Sequence, residues 1–125
     1  MTPTYLTVVE VIAIHDILIE EFGRSPGVRD VGAIEAAVFR PQTGYYDDAL
    51  GEAAALMESL ILSHPFVDGN KRTAFAAADV HLRLNGWYFH GDTEAGSQLI
   101  VAGLSEGRLD RQEMELWLRE NGVQL

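Results

Sequence analysis

The chain contains no cysteine, four prolines, a single lysine and no apolar run approaching the ~20 residues that cross a bilayer. Without cysteine there can be no disulfide, no thiolate metal site and no cysteine nucleophile, which agrees with a reducing compartment. The first residues, MTPTYLTVVEVIAIHD, lack the basic start and small-residue cleavage site of a signal peptide. A cytoplasmic location is therefore expected, with no membrane partner. Basic charge is scarce as well. Nine Lys and Arg face 19 Asp and Glu, for a net charge of -10, so a phosphate backbone would be repelled unless the cations were gathered in one place. They are not: eight arginines are spread along the chain, and Lys71-Arg72 is the one adjacent basic pair. Direct nucleic-acid binding is not expected, and the charge argues against ribonuclease chemistry.

What is present suits one packed domain over residues 1–125, with 47% hydrophobic and 22% charged residues. The apolar periodicity is helical throughout. Thr7 and Glu10 have capping-box spacing ahead of a first helix over residues 7–22, which ends at Gly23. GRSPGVRD reads as a loop, and Asp30 as the N-cap of a short helix through Ile34 and Val38 that stops before Pro41. PQTGYYDD is a second loop. From Leu50, the positions Ala53, Ala54, Met57, Leu60 and Ile61 share one face of a helix that reaches Ser63 and ends at Pro65. A further helix opens near Asn70, carries Ala74, Ala78 and Leu82 on one stripe, and stops at Asn85-Gly86. WYFHGD fits either a short extended segment or a loop. Residues 93–104 read as helical, and Asp110 with Glu113 marks the start of a last helix bearing Met114, Trp117 and Leu118 on its buried side. The expected class is all-α: a compact single-domain bundle of five to seven helices.

The chemistry concentrates in SHPFVDGNKR, residues 63–72, between two of these helices. A helix start offers unpaired N–H groups and the positive end of the helix dipole, which together attract phosphate. Gly69 lets the backbone turn and approach a ligand closely. Asn70, Lys71 and Arg72 add donors, two of them charged. Asp68 would repel a phosphate unless magnesium lay between them, which points to a metal-bound nucleotide. His64, held just before Pro65, titrates in the range useful for taking a proton from a hydroxyl. A turn containing Pro, Asp, Gly and Asn could equally be an ordinary interhelical loop with Phe66 as its core anchor. The combination, with the chain's one lysine inside it, favours the chemical alternative.

HPFVDGNKR resembles the signature of the Fic/Doc superfamily, whose Fic branch reads His-Pro-Phe-x-Asp/Glu-Gly-Asn-Gly-Arg and whose Doc branch has lysine for the second glycine. AIHDILIEEFGRSPGVRDVGAIEAAVFRPQ resembles the N-terminal part of death-on-curing toxins, and GNKRTAFAAADVHLRLNG the helix after their motif. The likeness covers most of residues 5–90. It implies an all-helical domain with the motif loop between two central helices, His64 as base, Asp68 as magnesium ligand, and Gly69, Asn70, Lys71 and Arg72 around the phosphates of ATP. Lysine at position 71 implies the reversed nucleotide of the Doc branch and hence a kinase, whereas the Fic branch transfers AMP. Fic enzymes often carry a second arginine where this chain has Phe75. The resemblance further implies a toxin of a toxin-antitoxin pair, elongation factor Tu as the protein target, and a Phd-type antitoxin acting in trans. No Ser/Thr-x-x-x-Glu-Gly/Asn inhibitory motif is present, LWLREN at residues 116–121 being the nearest approach. A catalytically idle nucleotide-binding module stands as the alternative outside the enzymes.

Among the other polar residues, His15 could face the motif loop but is expected to be a buried, hydrogen-bonded structural histidine, and His81 and His90 structural or surface groups. Arg24, Arg29 and Arg83 are expected on the solvated surface. Tyr45 and Tyr46 fall where the superfamily often places a target-docking flap.

Overall fold

Four of the predicted helix starts carry side-chain caps. In the computed structural model, which describes residues 3–23, 25–89, 98, 102–103 and 110–125, helix α1 spans Val8–Phe22, α2 Val31–Phe39, α3 Ala49–Ser63, α4 Asn70–Leu84 and α5 Arg111–Asn121. Thr7 and Glu10 complete the capping box of α1 in both directions. Asp30, Asp48 and Asp110 accept from the N–H groups of Ala33, Gly51 and Glu113 at 3.1, 3.1 and 3.0 Å. α2 does not give way to a loop at Pro41. It tightens into a 3-10 turn, Arg40–Thr43, because a proline near the start of a turn loses no hydrogen bond there.

α3 is the central helix. Its residues Leu50 to Met57 are buried without interruption, and it packs against α2, α4 and α5. Ala53, Ala54 and Ala55 on α3 and Ala74, Ala77 and Ala78 on α4 are all fully buried. Small side chains let two helix backbones approach closely, and the short link between α3 and α4 makes them antiparallel neighbours. α1 lies against α4 and α2. The extended alternative for WYF is correct: β1, Trp87–Phe89, pairs antiparallel with β2, Gly122–Gln124, in the register Trp87 to Gln124. β2 escapes sequence reasoning because three residues show no alternation. Gly122 permits its close departure from α5, since a Cβ there would lie 2.7 Å from the Leu118 carbonyl oxygen. Of the helix expected over residues 93–104, Gln98, Ala102 and Gly103 are helical and the rest lies outside the described residues, as does His90.

One buried polar cluster ties α3 to α4. His81, on α4, and Glu52, on α3, are both buried, with His81 Nε2 and Glu52 Oε1 3.1 Å apart. Tyr5 donates its hydroxyl to the other oxygen of Glu52 at 3.1 Å, and its ring stacks on His81. Asn85 bonds the backbone of Thr4 in both directions and the carbonyl of His81, so the segment before α1 is fastened to the end of α4.

Burial pushes the His81 imidazole below its ordinary value of 6.5, against the pull of Glu52. The unfolded chain then binds more protons than the folded one just below that value, so this contribution is complete above 6.5 and is lost as the pH falls toward the folded value. The melting temperature should be lower at about pH 5.5 than at about pH 7.5, and His81→Gln, which keeps a donor for Glu52 but cannot titrate, should shrink the difference. Thermal melts of both proteins at the two pH values make the check.

Candidate functional site

The link between α3 and α4, residues 64–69, is held at three places. The first is a strap from the segment after α1. Arg29 and Asp30 donate their N–H groups to the Pro65 carbonyl at 2.7 and 3.0 Å, Val67 donates to the Gly27 carbonyl at 3.1 Å, and Val28 bridges Phe66 in antiparallel fashion. Arg29 also donates through its guanidinium to the His64 carbonyl. The second is Asn70, whose carboxamide accepts from the Phe66 N–H at 2.9 Å and donates to the Phe66 carbonyl at 3.0 Å. The third is His15, whose Nε2 lies 2.8 Å from the Asp68 carbonyl while its ring stacks parallel on Phe66, centroids 3.8 Å apart.

Within this frame the predicted residues come together. His64 closes α3 in the left-handed region, φ 47°, and is the one non-glycine with positive φ among the described residues. That conformation costs a non-glycine residue roughly 1–2 kcal/mol. It turns the chain sharply at the helix end, and it leaves the imidazole exposed with no hydrogen bond among the described residues. Asp68 is half-buried and accepts the Gly69 N–H at 2.8 Å on one carboxylate oxygen. Gly69, φ 76°, is the N-cap of α4 and supplies no side chain to it. The starts of α1, α2, α3 and α5 are closed by a threonine or aspartate, whereas the N-cap of α4, Gly69, makes no side-chain cap bond. Lys71 and Arg72 occupy the first turn of that helix, half-buried, with the Arg72 guanidinium 3.8 Å from the centroid of the Phe22 ring on α1.

An uncapped helix start flanked by two cations fits a phosphate chain, and a half-exposed carboxylate beside it fits a hard cation that takes its remaining ligands from phosphate and water. Among the described residues no group of three or more His, Asp or Glu forms a metal site of its own. Asp68 would thus hold magnesium only together with the nucleotide. Asn70 has its side chain committed to Phe66, so what it can offer a phosphate is its backbone N–H.

The strap was not legible. GRSPGVRD reads as a loop, and no pattern in it announces that Gly27 to Asp30 will pair with the motif. Arg29, expected at the solvated surface, is exposed yet bonded to His64. Arg83 pairs with Asp79 at 3.1 Å, four residues back on α4, and Arg24 lies outside the described residues. Tyr45 and Tyr46 do not sit over the motif. They precede α3 while His64 follows it, and the Tyr46 hydroxyl accepts from Arg40 Nε at 2.7 Å. There they line a cleft of about 360 Å³ with Gly51, Arg111, Glu115 and Arg119. The segment lying along the motif loop is Gly27–Asp30 instead.

Residues 5–82 match the Fic/DOC family. The chain is 51% identical over 70 residues to a protein named Toxin Doc from Mycolicibacterium smegmatis, a stretch covering 52% of this chain and 54% of that one, so it spans about half the length of this relative. It is 34% identical over 101 residues to the protein named Protein kinase doc of Escherichia phage P1, covering 78% and 80% of the two chains. No described helix is long and apolar enough to cross a membrane.

Two substitutions test the anchoring of the loop. Asn70→Ala strips the Phe66 N–H and carbonyl of their partner and should cost about 1–3 kcal/mol in urea unfolding. Gly69→Ala meets no prohibitive contact, Ile19 Cδ1 being 3.4 Å from the added carbon, so its cost should be that of the backbone alone, about 1–2 kcal/mol.

Proposed function

Because the chain belongs to the Fic/DOC family, we propose that it is a toxin that transfers the γ-phosphoryl group of ATP to a serine or threonine hydroxyl of a target protein. In this proposal His64 takes the hydroxyl proton, the freed oxygen attacks the γ-phosphorus, and the bond to the β–γ bridging oxygen breaks to release ADP. The N–H groups at the start of α4, with Lys71 and Arg72, bind and orient the phosphates, and Gly69 keeps side-chain bulk out of their way. Magnesium held by Asp68 would neutralise phosphate charge. The observation that carries the proposal is the pairing of an exposed, unbonded imidazole at one end of a six-residue link with an uncapped, cation-flanked helix start at the other.

Phosphoryl transfer is preferred over AMP transfer because of two positions on α4. Lys71 adds bulk and charge where Fic enzymes have glycine. Phe75, where they often have arginine, is buried against Trp117, centroids 6.0 Å apart, and can bind no phosphate. The name of the phage P1 relative supports a kinase, and that of the mycobacterial relative supports a toxin. Elongation factor Tu is the proposed target and a Phd-type protein the proposed antitoxin, both from the family resemblance.

Incubation with elongation factor Tu and ATP labelled at the α or the γ phosphate separates the possibilities. Label should pass from the γ position only, and His64→Ala should reduce transfer at least about a hundredfold while keeping the parent's melting temperature. Transfer from the α position would establish AMP transfer instead, and no transfer to the factor or to cell extract would leave a nucleotide-binding module without this chemistry.

A further inference from the structure

The Asp68 carbonyl and the Gly69 N–H belong to one planar peptide and point in opposite directions. Whatever fixes one fixes the other. The carbonyl is directed into the protein, where it meets Nε2 of His15 at 2.8 Å. An oxygen acceptor brings no hydrogen, so Nε2 must donate. His15 is 1% exposed and lies on α1, more than 50 residues from the loop in sequence. Its ring is wedged parallel on Phe66, itself 1% exposed, and a Cβ added at Gly69 would lie 3.8 Å from Nε2. With the carbonyl drawn inward, the Gly69 N–H is aimed outward, where the Asp68 carboxylate accepts it at 2.8 Å. The other imidazole nitrogen, Nδ1, is buried with no hydrogen-bond partner, and the Asp16 carboxylate is 3.9 Å away, too far to bond.

A buried histidine that served only to fill the core would have no need of a donor aimed at one loop carbonyl, and an apolar ring would stack on Phe66 as well. We infer that His15 is a positioning residue: its Nε2–H sets the orientation of the Asp68–Gly69 peptide, and through it the placement of the Asp68 carboxylate and of the N–H that opens the start of α4. The strap and Asn70 hold the loop at His64, Pro65, Phe66 and Val67, upstream of this peptide, and none of their bonds reaches it. His15 acts on the site from behind and touches neither the nucleotide nor the target hydroxyl. Its bearing on phosphoryl transfer rests on the proposed function, whereas its control of the peptide does not.

Two variants separate donor from packing. His15→Phe keeps a ring on Phe66 and removes the donor; His15→Gln keeps a donor near the place of Nε2 and gives up the stack. In the nucleotide-free protein, amide hydrogen exchange at Gly69 followed by NMR should accelerate at least about tenfold in His15→Phe, with the α3 core amides still protected, and stay within about threefold of the parent in His15→Gln. γ-Label transfer should follow the same order, kcat/KM falling at least about tenfold with Phe and largely recovering with Gln. Unchanged Gly69 exchange in the Phe variant, or equally fast exchange in both, overturns the inference. Should the Phe variant fail to fold, the Gln variant decides alone, retained Gly69 protection supporting the role and lost protection refuting it. A parent that transfers no label would refute the proposed function, and the exchange comparison would still decide the role of His15.

Discussion

Everything at the candidate site depends on the confinement of six residues between two helices that cannot move apart. α3 and α4 pack against one another and each carries three fully buried alanines, so the core around them leaves little slack, because a close-packed interior neither swells nor slides without opening voids or clashing. The connection must therefore turn within a set distance. It does so with a strained His64 at one end and a left-handed Gly69 at the other. Such strain persists only where the surroundings over-determine the backbone. Here the surroundings are the Gly27–Asp30 strap, the Asn70 carboxamide and the His15 imidazole, which come from three different parts of the chain.

In the proposed function the same confinement is what lets a strongly acidic protein present a place for phosphate. With a net charge of -10, the long-range field is repulsive to anions, and attraction has to be local. In the proposed function the α4 start supplies it through backbone N–H groups, the helix dipole, Lys71 and Arg72. Four other arginines are tied to acids: Arg40 to Glu58, Arg83 to Asp79, Arg111 to Glu115, and Arg119 to Asp48 and Glu115.

The helices were legible because their signals are local. Thr7, Asp30 and Asp110 are caps that act within three residues of themselves, and the apolar stripes of α3 and α4 follow directly from the 3.6-residue period. The motif was legible for a different reason: its residues are consecutive, so a resemblance could be read from one short stretch. What stayed hidden is non-local. No spacing rule joins His15 to Asp68, Gly27 to Val67 or Arg29 to His64, since each pair meets only after α1 and the hairpin of α3 and α4 have packed. The placement of Tyr45 and Tyr46 stayed hidden for the same reason, because position in sequence does not reveal which end of the next helix a loop will occupy. Asn70 shows the limit most sharply. Its type suits a phosphate ligand, yet its side chain closes the loop on Phe66.

The central claim is that magnesium-bound ATP is gripped by the start of α4 beside Asp68. Backbone amide shifts recorded by NMR during titration with ATP and magnesium test it directly. The largest shifts should fall on Gly69, Asn70, Lys71 and Arg72, and should weaken when magnesium is withheld or Asp68 is replaced by asparagine. Shifts centred on the Tyr46 and Arg111 cleft, or none at saturating nucleotide, would contradict the account.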